Sequence, residues 1–162
     1  MSDTEIFNPT RRYKHFRPRE AARAQKTLTP TNKATFSLYN DTTGRSVLVV
    51  RDFTVQGTAN DLVGTSYQSG QIGTSQGLVQ PLMPSGGKTA GLLASIDTVT
   101  TYASDYILAL SSLGAFVWQH DFPFAVIEPG WSLVFQAATA AHATTVAVVW
   151  ESIQIDELDS FW

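Results

Sequence analysis

The chain is assembled from short runs in which apolar side chains recur at every second position, and only one brief stretch keeps a helical period. From Ser46 to Gln56, Val47, Val49, Arg51, Phe53 and Val55 share one parity. From Trp131 to Ala138, Trp131, Leu133, Phe135 and Ala137 do the same, and from Thr144 to Ile155 so do Val146, Val148 and Trp150. A period of two puts alternate side chains on one face of a strand. The last two runs read as a hairpin. Arg51 interrupts its apolar face, which predicts a bulge there or a pairing of Arg51 with Asp52 or another acid. Shorter strands are expected at Phe36–Asn40, Leu92–Ile96, Thr98–Tyr102, Tyr106–Leu110, Ala115–Gln119 and Phe122–Ile127. Asn40-Asp-Thr-Thr-Gly44 and Glu128-Pro129-Gly130 supply turns. Residues 57–91 are rich in Gly, Ser, Thr and Gln and predict loops with weak strands. No period of 20–50 residues repeats. The expected fold is all-β, a jelly-roll-like sandwich of about eight antiparallel strands over residues 34–151.

Charge divides the chain. Residues 1–33 hold eight Lys or Arg against three acids, and residues 34–162 hold three against eleven. A basic arm is thus joined to an acidic body, a pattern that suits docking on an anionic surface. Within the arm, Pro18 to Lys26 predicts a short helix with Pro at its first position, and Thr27 to Asn32 reads as a linker. Fully extended, the arm reaches about 110 Å. Residues 152–162 form an acidic, aromatic tail. The arm's candidate partner-binding residues are Arg11, Arg12, Tyr13, Lys14, Phe16, Arg17, Arg19 and Arg23, and the tail's are Phe161 and Trp162. Tyr, Trp and Arg are the side chains that most often anchor interfaces. The mixture of Pro, Glu20 and aromatics favours a protein surface over nucleic acid as the arm's partner.

Catalytic chemistry is not legible. The absence of cysteine excludes disulfides, thiolate metal sites and a cysteine nucleophile. His15, His120 and His142 are too scattered for a metal site, and no cofactor is expected. His120-Asp121 reads as a loop pair. Glu128, Glu151, Asp97 and Asp105 carry no spacing that pairs them for hydrolysis. Ser85-Gly-Gly-Lys88 lacks the remaining glycine and the strand-to-helix context of a phosphate loop. The expectation is a protein that is not an enzyme. No run of 18 apolar residues predicts a membrane span, and the Met-Ser-Asp-Thr-Glu start lacks the pattern of a secretion signal. Phe53, Trp118, Phe124, Phe135 and Trp150 are the expected core aromatics. The body's sparse charge suits a sandwich whose surface is polar but uncharged, or one hidden against other copies.

Phe36-Ser-Leu-Tyr-Asn-Asp-Thr-Thr-Gly-Arg-Ser-Val-Leu-Val-Val-Arg51, then Ile127-Glu-Pro-Gly-Trp-Ser-Leu133 and Val148-Val-Trp-Glu151, resemble the strand and turn order of small jelly-roll proteins of tailed-phage virions. The resemblance spans about residues 34–151. It implies a capsid cement or decoration protein, made in the host cytoplasm and residing on the capsid surface. It further implies a homo-oligomer, a trimer foremost, with major capsid protein subunits as partners. The arm is not part of the shared pattern, and its grip on the shell is inferred from charge and reach. The competing expectation is a carbohydrate- or receptor-binding module of a tail or head fibre, with Trp118, Trp131 or Tyr67 as stacking platforms.

Overall fold

A computed structural model describes residues 20–57, 61–83, 90–103, 115–119 and 123–156, and the backbone of 106–110. Twelve strands form two antiparallel sheets, with no α-helix among the described residues. The front sheet holds β1 (Ala21–Leu28), β3 (Ser46–Gly57), β6 (Val79–Pro81), β9 (Ala115–Gln119), β10 (Ala125–Ile127) and β12 (Thr144–Gln154). The back sheet holds β2 (Lys33–Tyr39), β4 (Asp61–Ser69), β5 (Ser75–Gln76), β7 (Leu92–Thr98), β8 (Tyr106–Leu110) and β11 (Trp131–Ala137). The front order is β10-β3-β12-β1-β6, with β9 also paired to β3. The back order is β5-β7-β2-β11-β4-β8.

Two four-stranded cores stand out, β9-β3-β12-β1 and β8-β4-β11-β2. The steps β1 to β2, β3 to β4, β8 to β9 and β11 to β12 each cross between sheets. That is the strand order of a jelly roll. β5, β6 and β7 fall between β4 and β8 and widen both sheets at one edge.

Several local expectations are overturned. Of the helix expected over Pro18 to Lys26, the described part is not helical, because Ala21–Leu28 is a strand laddered to β12 on one side and to β6 on the other. Ala22 and Ala24 point inward and are buried, while Arg23 and Gln25 point outward. Two ready-made ladders outweigh the modest helix preference of alanine. The sandwich therefore reaches back to Ala21, into the segment read as an arm, and the linker shrinks to residues 29–32. β11 and β12 are not a hairpin, since β11 pairs with β2 and β4 and β12 with β1 and β3. Adjacent strands with matching periodicity carry no record of which sheet each joins. Thr98–Tyr102 lies mostly in a connection, and the stretch expected to be weak contains nine-residue β4.

Arg51 behaves as expected on both counts. The β3–β12 register slips beside it, with Asp52 opposite Val149 and Val50 opposite Trp150, so Arg51 is the extra residue of a bulge. Its guanidinium donates to the buried Glu151 carboxylate at 2.7 Å. The slip turns Leu48, Val50, Phe53 and Val55 all toward the core, although they differ in parity. Val47, Val49 and Ile153 form a small second cluster on the outer side.

The Asn turn and the Pro-Gly turn meet at one end of the sandwich. Asn40, fully buried, donates through Nδ2 to the carbonyls of Ser46 (3.1 Å) and Ile127 (2.8 Å) and accepts from Thr42 N–H (3.0 Å). Gly130 N–H donates to the Asn40 carbonyl, and Asn40 N–H donates to the Trp131 carbonyl. One residue thus joins the ends of β2, β3, β10 and β11, through its side chain to β3 and β10 and its backbone to β11. Nearby, Trp150 Nε1 donates to the Ala90 carbonyl at 2.7 Å. Gly91, at φ 92°, packs so closely that a Cβ would lie 2.8 Å from Leu48 Cδ1.

The β1–β2 link is fixed from β7, the strand paired with β2. Thr31 N–H, Thr31 Oγ1 and Asn32 N–H all donate to the Asp97 carboxylate at 2.7–2.8 Å. The Thr31 backbone bond leads in holding the Asp97 carboxyl below its ordinary value of 3.8. A depressed carboxylate pKa stabilises the fold above the ordinary value and loses that contribution as pH falls through the folded one. The gap in unfolding temperature between the parent and Asp97→Asn should therefore be steady near neutral pH and close as pH falls below the ordinary carboxylate value of 3.8. A gap unchanged by acid would remove Asp97 as the tether.

Candidate functional site

The two outer faces of the sandwich are built differently. On the back sheet, Thr35, Ser37, Ser132, Val134 and Gln136 point away from the core, yet all are buried. Two connections cover them. Ser132 Oγ donates to the Gly70 carbonyl at 2.7 Å and Ser37 Oγ to that of Ile72, which pins the loop after β4. Gln136 pins residues 99–103: its Oε1 accepts from Tyr102 N–H (2.9 Å) and its Nε2 donates to the Thr100 carbonyl (2.8 Å). The back face is closed by its own chain.

Among the described residues, the front face is open over its middle. Register places Gln80, Arg23, Val149, Asp52 and Gln119 in one outward row across β6, β1, β12, β3 and β9. Gln25, Ala147, Thr54 and Val117 form the next row, with Leu78 beside Gln25. All of these except Val117 and Gln119, which flank it on β9, line a groove of about 480 Å³. Small Ala147 and Val149 make its floor. Leu78 is 75% exposed and Val117 56%, on opposite flanks. Arg23 is the one arm residue of the expected set that the described structure places, and it lies on this face. Arg11, Arg12, Tyr13, Lys14, Phe16, Arg17, Arg19, Phe161 and Trp162 lie outside the described residues, as do His120, Asp121, Asp105 and Ser85–Lys88.

Trp118 is not a surface platform. Its ring lies parallel to that of Phe53 (6.3 Å, 2°) and edge-on to Phe124 (5.0 Å) in the core. Trp131 (41% exposed) and Tyr67 (49%) are diagonal neighbours on the inward face of β11 and β4 at one end of the sandwich. Burial raises the Tyr67 pKa, and a hydrogen bond with the Val126 backbone opposes the rise.

The chain matches no family model, no curated protein and no solved structure. Function is thus read from geometry. The described candidate acids are each used locally and do not converge. Asp97 tethers a turn, Glu151 pairs with Arg51, and Glu128 is exposed at a turn closed by Trp131 N–H. Asp61 accepts from Leu62 and Thr139 N–H and sits 3.3 Å from His142. Among the described residues no cluster of three or more metal-binding side chains forms, and no helix is long and apolar enough to cross a membrane. Sequence reasoning missed the front-face groove. Its rows draw on five strands far apart in the chain, and no local pattern marks them.

Proposed function

We propose that this protein is a structural component of a tailed-phage virion, a homo-oligomeric cement or decoration protein held to major capsid protein subunits by its basic leading segment. The observation that supports this reading most directly is the continuity of that segment with β1. Residues 1–19 carry five basic side chains against two acidic ones and run into a strand registered over eight residues with β12 and over three with β6. A load on the leading segment is therefore borne in shear by ladders on both sides of an interior strand. A strap that ties subunits of a shell needs such an anchor.

The placement of β1 also sets the test. Deletion through residue 26 would tear out most of an interior strand, whereas deletion of residues 1–19 spares it. The shorter truncation should fold and keep its solution mass, yet fail to co-sediment with empty heads. Exposed ion pairs contribute about 0–1 kcal/mol each, so attachment of the full chain should also weaken with salt. Undiminished decoration by the truncated protein would sink the proposal. The glycan- or receptor-binding reading is favoured by Trp131 and Tyr67 standing together half-exposed. It predicts ligand binding that survives the truncation, and the same protein preparation separates the two.

A further inference from the structure

We propose that the open front face pairs two copies of this chain about a two-fold axis running along β12. The argument rests on the order of side chains in the two exposed rows. Read across the sheet, one row is Gln80, Arg23, Val149, Asp52, Gln119. The other is Leu78, Gln25, Ala147, Thr54, Val117. Each is chemically palindromic about β12: amide to amide, cation to anion, and exposed apolar to exposed apolar, with a small apolar residue at the centre.

A two-fold contact is self-complementary, so what stands on one side of the axis meets what stands on the other. With the axis along β12, Arg23 of each copy faces Asp52 of the second copy, and Gln80 faces Gln119. Leu78 meets Val117, Gln25 meets Thr54, and Val149 and Ala147 meet their own counterparts. Turned by a right angle, with the axis across the strands at this row, the contact would set Arg23 on Arg23 and Asp52 on Asp52. Charge therefore selects the first arrangement. The low floor at Ala147 and Val149 leaves room for the aliphatic stems of Arg23 and Gln25 to lie flat across the contact. Asp52 has contacts within its own chain; the second copy adds an opposite charge rather than a first partner.

The back face has no comparable opening, because its own connections already cover it. Neighbouring strands lie about 4.8 Å apart, so the open face is on the order of 20–25 Å wide. That is at the small end for a protein contact, and the pairing should depend on concentration. It stands whether or not the leading segment binds a shell.

The test is a charge exchange read by sedimentation of the full chain across a concentration series. The parent should associate into even-numbered species. Arg23→Glu sets a carboxylate against Asp52 at each of the two contacts, and Asp52→Arg sets a cation against Arg23 at each. Each variant alone should raise the dissociation constant by roughly tenfold or more, since opposed like charges are strongly unfavourable. An equimolar mixture of the two should re-form a heterodimer with an affinity near that of the parent, because both contacts then join opposite charges. Restoration on mixing also shows that both variants are folded. Leu78→Asp, at an exposed flank, should weaken association without touching the charge pair. A parent that is monomeric or purely trimeric at every concentration, or a mixture that fails to pair, overturns the proposal. Capsid attachment is read separately, so the failure of one reading leaves the other standing.

Discussion

Phe53→Ala is expected to lower stability by about 3–5 kcal/mol, the range for deleting a buried aromatic ring. Phe53 is 2% exposed and sits at the centre of an aromatic cluster drawn from both sheets. Its ring centroid lies 4.7 Å from Phe124, 5.1 Å from Phe135, 5.9 Å from Phe116 and 6.3 Å from Trp118. Phe135 belongs to the back sheet, and Phe116 and Trp118 to β9, so truncation removes a contact that bridges the layers. β3 is laddered to β12 and to β9 at this point. The backbone has little freedom to collapse into the void, and incomplete relaxation is what makes such cavities costly. Phe53→Leu, which refills part of the space, should lose on the order of 1–2 kcal/mol. Urea denaturation would measure both, with an unchanged slope marking a loss of stability rather than a new unfolded state. A loss below about 1 kcal/mol for alanine would mean that the cluster repacks and that Phe53 is not its centre.

Phe53 also shows how far the sequence could be read. Its period-two setting predicts burial, and it is buried. That setting places Val47 and Val49 on the same side as Phe53, whereas the bulge at Arg51 sends them to the opposite face. The charge within an apolar run signals an irregularity, but the direction of the flip depends on β12, about a hundred residues later. The same limit explains the helix expected from Pro18. Ala-rich segments follow whichever partner they meet, and β1 meets two ladders. Asn40 and Pro129-Gly130 were legible as turns, since their chemistry is local. Their junction through the backbone of Asn40 was not, nor was the allotment of strands to the two sheets. Arg23, expected to grip a foreign surface as part of an arm, lies on an open sheet face with Asp52 two strands away across Val149. Opposite charges separated by one strand are visible only once register is known.

Gln136→Ala should release the cover of the back sheet, at a cost of about 2–4 kcal/mol. Gln136 points away from the core and is nonetheless 0% exposed. Its Oε1 accepts from Tyr102 N–H at 2.9 Å and Ala103 N–H at 3.3 Å, and its Nε2 donates to Thr35 Oγ1 and the Thr100 carbonyl, each at 2.8 Å. Truncation strands two backbone donors and one carbonyl together. Each buried polar group left unpaired costs about 1–3 kcal/mol, but residues 99–103 can reach water by lifting, so the total falls below the simple sum. Tyr102 also remains held through its carbonyl by Ser66 Oγ and Gln68 Nε2, which limits the movement to a local opening. Amide exchange should report it, with the Tyr102 and Ala103 N–H groups losing protection while β11 and β2 keep theirs. Gln136→Glu separates shape from bonding: it preserves the length but places a carboxylate oxygen against the Thr100 carbonyl, and should release the same amides. Unchanged exchange in both variants would show that Gln136 does not hold the cover. The consequence extends to assembly. With residues 99–103 lifted, the back sheet around Thr35 opens while the loop after β4 still covers Ser37 and Ser132, and the variant should associate beyond the pairs formed through β12. The closed back face is what leaves the front face as the surface for ordered contact.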